Sequence, residues 1–174
     1  MVRSILMSLF GMASLSALAW TAAAQTPLKT VDHVDLARYA GKWFEVARLP
    51  NRFERKCVRD VTAEYTLDNG AVRVRNSCLQ ADGKRNVANG KALVVDHQSN
   101  AKLKVTFFWP FYGKYWILGL DQEYRWAVVG EPSRKYLWVL SRTTGLSTQQ
   151  RADIDRVIAT HGYQQASLIW NPTT

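Results

Sequence analysis

Cys57 and Cys78 are the most reactive side chains in this sequence, and three chemistries are open to them: a disulfide, a metal site or a nucleophilic thiol. A nucleophilic thiol needs a nearby base to hold it as thiolate, and no base is indicated beside either cysteine. A zinc site needs further ligands converging on both sulfurs. His33, His97 and His161 are instead scattered singly, so no metal is expected. The favoured reading is one disulfide, Cys57 to Cys78, because the chain reads as exported and carries no third cysteine to compete. It would tie together the two sides of a hairpin and stabilise the fold by about 3 kcal/mol in the entropic account. No Ser, His and Asp set has a catalytic context, no glycine loop is built to cradle phosphate, and no carboxylate pair stands out. An enzyme is therefore not expected, nor is a cofactor.

The export reading comes from the first 24 residues. Arg3 precedes an apolar run from Ile5 to Leu18, followed by small residues ending in Ala22, Ala23 and Ala24, the pattern of a signal peptide cut near Gln25. The run is too short for a membrane anchor and is broken by Ser4, Ser8, Gly11, Ser14 and Ser16. No cysteine stands at the cleavage point, so an N-terminal lipid anchor is not expected. The expected location is the periplasm or the exterior, with association to the outer membrane left open. Residues 25–174 then form one domain, in keeping with 47% hydrophobic and 21% charged residues overall. Loss of Arg3 leaves 22 Lys and Arg against 14 Asp and Glu, a net charge of +8. The basic residues alternate singly along strands rather than forming a patch, which argues against nucleic acid and fits a mild attraction to anionic lipid.

The elements that would position a site follow from period-two alternation between residues 41 and 141. Val61, Ala63, Tyr65 and Leu67 alternate with polar residues, Asp68-Asn69-Gly70 forms a turn, and Val72, Val74 and Asn76 alternate again. Leu103, Val105 and Phe107 repeat the grammar. Further strands are expected over 41–49, 87–96, 115–121, 124–130 and 135–142. Eight short strands joined by tight turns suit an antiparallel sandwich or an up-and-down barrel, and closure removes exposed edges. After them, Ser147 with Gln150 signals a capping box, Ile154, Val157 and Ile158 an apolar stripe, and His161-Gly162 a stop, so one helix packs outside the sheet. A short last strand is expected over 166–170.

Three segments are more specific. Gly41-Lys42-Trp43-Phe44-Glu45-Val46-Ala47-Arg48 opens the strand region; Trp116 to Asp121 continues to Tyr124 and Trp126-Ala127-Val128-Val129; Tyr136-Leu137-Trp138-Val139-Leu140-Ser141-Arg142 closes it. In this order and spacing they resemble the signatures of the lipocalin family. Asn51-Arg52-Phe53-Glu54, Val61 to Tyr65 and Gly130 to Arg134 resemble in particular its branch of bacterial lipocalins, apolipoprotein D and plant temperature-induced lipocalins. Two departures stand out. The family's common Thr-Asp-Tyr is replaced by Leu120-Asp121-Gln122-Glu123-Tyr124, and the anchoring cysteine of many bacterial relatives is missing.

The resemblance implies an all-β fold, an eight-stranded antiparallel up-and-down barrel with one C-terminal α-helix outside. It implies that Trp43 plugs the closed end, that Arg142 lies across its indole, and that Gly41 leaves room for the pair, all three being structural. It also implies an interior cavity, which period alone does not prove. The expected ligand is a small lipid, a fatty acid or lysophospholipid, carried by a monomer or homodimer, with a role in membrane maintenance under stress. Alternation places Tyr65, Val74, Asn76, Val105, Phe107 and Trp138 inside, with Trp109 and Tyr115 nearer the mouth; Tyr65, Asn76, Phe107 and Trp138 match pocket positions of apolipoprotein D. The alternatives are a lipocalin-type isomerase using a free cysteine, a pigment or tetrapyrrole carrier, and a filled barrel serving only as an interaction module. The segment 108–113 is unusually apolar for a loop. If exposed, it would be a lid, a rim that touches membrane or a dimer contact, and the rim is favoured.

Overall fold

A computed structural model describes residues 26–171, so the expected signal peptide at 1–24 lies outside the described residues. Where side chains alternate, strands form: β1 (Gly41–Arg48), β2 (Cys57–Asp68), β3 (Ala71–Gln80), β4 (Arg85–Val94), β5 (Lys102–Phe108), β6 (Phe111–Leu120), β7 (Trp126–Gly130) and β8 (Leu137–Ser141). Each pairs antiparallel with the next, and β1 closes the barrel by pairing with β8 on one edge and β2 on the other. Closure is shared along β1. Gly41 to Phe44 pair with β2, while Ala47 and Arg48 pair with a two-residue strand, β9 (Ile169–Trp170), from the C-terminal segment. The first residues of β2 diverge from β1 through two register shifts and a positive φ at Asp60, and β9 takes the vacated edge.

Turn chemistry sets the strand ends. Asn69 and Gly70 both have positive φ, as a tight hairpin between strands of right-handed twist requires. The expected strand at Tyr124 begins only at Trp126, because the Asp121 carboxylate gathers the amides of Glu123 and Arg125 and the Arg125 guanidinium into a turn. The Glu131 carboxylate does the same for Ser133, Lys135 and Tyr136, which delays β8 to Leu137. In the other direction, the apolar loop expected at 108–113 shrinks to Trp109-Pro110, joined by a cis peptide bond, since β5 runs to Phe108 and β6 begins at Phe111. The strand expected over 166–170 is mostly a 3-10 turn, Gln165–Ser167, before β9.

Two cores result. The inner one contains Trp43, Ala63, Tyr65, Val72, Val74, Ala92, Leu103, Ile117, Val129 and Leu140. The outer one lies between the barrel and α2 (Thr148–Thr160), where Ile154 and Ile158 are fully buried against Val46, Leu118, Val128 and Val139. Every residue of β7 is buried because it faces both cores, which explains why Trp126 to Gly130 reads as an apolar run rather than an alternation. The helix starts at a complete Ser147/Gln150 capping box. Gly130 lets it approach: a Cβ there would fall 2.4 Å from the Tyr163 hydroxyl, so any larger residue displaces the segment that follows α2.

Cys57 and Cys78 are joined, with Cα atoms 5.5 Å apart, across the open end of the β2–β3 hairpin. Closing a loop of 21 residues stabilises by about 3 kcal/mol in the entropic account, and it holds the divergent start of β2 against β3. The isomerase alternative requires a free thiol, and this bond consumes both cysteines.

Candidate ligand-binding site

The barrel has one closed end. A short helix that the sequence pattern did not announce, α1 (Leu36–Tyr39), is capped by the Asp35 carboxylate and crosses beneath the strands. Trp43 is fully buried above it and donates its Nε1–H to the Tyr39 carbonyl at 2.8 Å. The Arg142 guanidinium lies 3.8 Å from the centre of the Trp43 ring. It also donates to the carbonyls of Arg38, Ala40 and Lys42 at 2.7, 2.9 and 2.8 Å. One side chain thus satisfies the last carbonyls of α1, which have no helical partner, and ties them to β1 and β8. Gly41 adopts φ +93°, so its role is as much the left-handed backbone that turns α1 into β1 as the space it leaves beside Arg142.

Three tyrosines fill the floor. The Tyr115 hydroxyl lies 2.7 Å from that of Tyr39 and 2.9 Å from that of Tyr65, and all three rings are packed among Leu36, Leu103 and Val105. Only about 20 Å³ remains there, room for one water-sized group. Tyr115, expected nearer the mouth, is therefore part of the floor: β6 begins four residues early, which sets Tyr115 deep and puts Phe111 at the rim. Burial raises the pKa of all three phenols, that of Tyr65 to about 12; Tyr65 pushes Tyr39 further upward, and Tyr39 and Tyr65 together do the same to Tyr115. Because the native phenols hold their protons more tightly than unfolded ones, this contribution to stability is intact below pH 10 and is lost as pH rises toward about 12. In a titration of phenolate absorbance we expect these three of the seven tyrosines, together with Tyr163, whose burial also raises its pKa to about 12, to ionise with alkaline unfolding. Early ionisation of all seven in folded protein would contradict the buried cluster.

Above the floor, Val105 and Trp138 pack on the inner core with Ala63 and Val74, Asn76 pairs with Ala63 across β2 and β3, and Phe107 lies over Gly90. Gly90 faces Val74 on the same wall, and a Cβ at Gly90 would strike the Phe107 ring at 2.7 Å, so this ring lies flat over the missing side chain. Phe107 is half-exposed at the top of this wall, and Asn76 holds a buried Oδ1 with no hydrogen-bond partner among the described residues. Trp109, also expected near the mouth, stands outside it on the tip of the β5–β6 hairpin, largely exposed.

A cluster of charges hangs beneath the mouth, and sequence reading missed it. Arg48 and Glu45 are both buried, with Arg48 Nη1 3.1 Å from Glu45 Oε1 and Arg48 Nε 3.3 Å from Glu54 Oε2. Trp138 donates its indole N–H to Glu54 Oε1 at 2.9 Å, which folds loop 49–56 back over the barrel. Asn171, just past β9, accepts from Arg48 and donates to Glu45. Burial, and then the adjacent Glu54 charge, raise the Glu45 pKa well above 4.5, against the opposing pull of Arg48 and Asn171. The signal was available in part: Glu45 lies two residues from Trp43 and so faces inward. Arg48 is on the opposite parity and reaches the interior only through the register shift between Glu45 and Ala47.

A larger space, about 410 Å³, lies outside the barrel where β1 and β2 diverge. Its walls include Lys42, Asp60, Glu64, Arg75 and Arg85, a charged lining unlike what an acyl chain requires.

A closed antiparallel β-barrel, plugged at one end by Trp43, Arg142 and three tyrosines and covered on one side by a helix, defines the class of fold. A family model, the Lipocalin-like domain, matches residues 34–173. Similar proteins include Outer membrane lipoprotein Blc of Escherichia coli (strain K12), 42% identical over 142 residues, which cover 80% of this chain and 80% of that one. Temperature-induced lipocalin-1 of Arabidopsis thaliana is 36% identical over 154 residues, covering 83% and 82%. Apolipoprotein D of Macaca fascicularis is 34% identical over 127 residues, covering 68% and 66%. Among solved structures, insecticyanin from the tobacco hornworm Manduca sexta superposes with a TM-score of 0.72 at 23% identity over 87% of each chain. Lobster apocrustacyanin A1 superposes at 0.65, with 17% identity over 79% of each, and both share the fold. The chain belongs to the lipocalin family.

Proposed function

We propose that this protein binds and carries a small hydrophobic ligand, a fatty acid or lysophospholipid, in the upper chamber of its barrel, without chemistry of its own. The observation that carries the reading is the contrast within the interior: a floor packed by tyrosines, and above it apolar walls around Asn76 Oδ1, an acceptor with no partner. A buried polar atom left unpaired is costly, and a ligand hydroxyl or protonated acid donating to it removes that cost. Tyr65, whose hydroxyl is engaged by Tyr115, serves as floor beneath the chain end. Each methylene withdrawn from water adds about 0.8 kcal/mol before ordering costs, so a long acyl chain suffices for micromolar binding.

Export is part of the same proposal. The apolar segment 5–18, the Cys57–Cys78 disulfide and relatives named as outer membrane lipoproteins all favour an oxidising compartment beyond the inner membrane. Titrating a long-chain fatty acid into the protein tests the binding site. Trp138 emission should change with saturation near one equivalent, and Trp138→Phe should abolish that change. No saturable change, or one that survives in Trp138→Phe, would overturn this placement of the ligand.

A further inference from the structure

The rim of the barrel carries an apolar, positively charged face that the ligand chamber does not use. In an up-and-down barrel closed beneath β1, the loops after β1, β3, β5 and β7 share the open end. There Phe108, Trp109 and Phe111 are 75%, 77% and 71% exposed, and Phe53 of loop 49–56 is exposed as well. The tip is held in shape: Phe108 pairs with Phe111 across the turn, and their rings stack with centroids 6.3 Å apart. A hairpin tip built for water resembles Asp68-Asn69-Gly70 at the opposite end, whereas this one reads Phe-Trp-Pro-Phe.

Exposed basic side chains share the same end. The open end presents Arg52, Arg55, Lys56 and Lys135, all exposed. Its acids are already engaged: Glu54 lies 3.3 Å from Arg48, Asp82 lies 3.4 Å from Lys84, and Glu131 collects backbone amides. At the closed end the acids have cations beside them, Asp68 with Arg73, Asp121 with Arg125 and Glu123 with Arg38. The exposed arginines and lysines beside the aromatic tip favour a negatively charged surface facing the rim.

We propose that the open rim is a docking face for an anionic lipid bilayer, with Phe108, Trp109 and Phe111 seated at headgroup depth and Arg52, Arg55 and Lys56 against lipid phosphates. Aromatic residues favour that depth because one part of the ring system is apolar and the other wet, and basic residues beside them add attraction that salt screens. The proposal does not depend on what the barrel holds, but it sets the mouth against the bilayer, so that an acyl chain passes between them without crossing bulk water.

Cosedimentation with vesicles tests it, using phosphatidylcholine alone and phosphatidylcholine mixed with phosphatidylglycerol. We expect capture by the mixed vesicles, weakened by added salt, and at least about tenfold weaker capture by phosphatidylcholine alone. Phe108→Ser/Trp109→Ser/Phe111→Ser and Arg52→Gln/Arg55→Gln/Lys56→Gln should each lose about tenfold or more while unfolding at the parent temperature, since all six side chains are exposed. The difference in emission between the parent and Trp109→Phe should shift to the blue when anionic vesicles are added. Undiminished capture of either variant, no capture by the mixed vesicles, or no blue shift overturns the proposal. So does sedimentation equilibrium showing a dimer that the triple aromatic variant abolishes, which would assign the patch to a second copy of the chain.

Discussion

Replacing Arg142 by alanine is expected to remove about 4 kcal/mol of stability, read as a lower denaturant midpoint with the slope unchanged. Stacking of a partly desolvated guanidinium on an indole contributes about 2 kcal/mol, and hydrogen bonds from a charged donor about 1.5 to 3 kcal/mol. The larger effect is on what remains. The carbonyls of Arg38, Ala40 and Lys42 lose their donor together, α1 loses its link to β1 and β8, and Trp43 loses its cover. Arg142→Lys tests the mechanism. A lysine keeps the charge but has no planar fork to reach three carbonyls and lie flat on the ring, so it should recover less than half of the loss. Full recovery would mean that charge alone holds the closed end.

The other large effect is expected at Arg48→Met. The substitution keeps volume and removes the cation that, among the described residues, pairs with Glu45 and Glu54. Breaking a buried ion pair from one side costs about 3 to 5 kcal/mol, because the surviving charge has no compensation. The sign of the pH dependence follows from burial. Burial and the neighbouring Glu54 already raise the Glu45 pKa well above 4.5, and loss of the cation removes the charge that opposes this rise, while in the unfolded chain a glutamate ionises near 4.5. The deficit should therefore be greatest at neutral pH and shrink as pH falls toward 4.5. Arg48→Met/Glu54→Gln should recover most of it at neutral pH, since no uncompensated charge is then buried. A deficit independent of pH would show that Arg48 acts through packing rather than charge.

Both arginines show where a sequence can be read and where it cannot. Arg142 ends a strand whose alternation is plain, and it lies in a segment that resembles a family signature, so its partnership with Trp43 is legible. Arg48 breaks the alternation. The register shift that turns it inward is a three-dimensional property of closing β1 against β8, and no spacing along the chain announces it. The four-residue α1 is illegible for a different reason. It is too short for an apolar period, and its stability comes from the Asp35 cap and the Arg142 donors rather than from its own residues. The hairpin at 108–113 was visible as apolar, but its length was not. Pairing of Phe108 with Phe111 lengthens both strands, which moves Tyr115 from the mouth to the floor and lifts Trp109 clear of the chamber. Val74, Val105 and Trp138 pack on the inner core where period two places them, whereas the pairing of β5 with β6 shifts register between Val105 and Phe108.

The claim beneath all of this is that the chamber above Tyr65 and Tyr115 takes up one lipid molecule. Native mass spectrometry of the purified protein tests it most directly, before and after addition of a long-chain fatty acid. We expect a species heavier than the chain by the mass of a single small lipid, already present or formed at one equivalent, with the lipid recoverable by extraction. A protein that keeps its bare mass under both conditions would contradict the account.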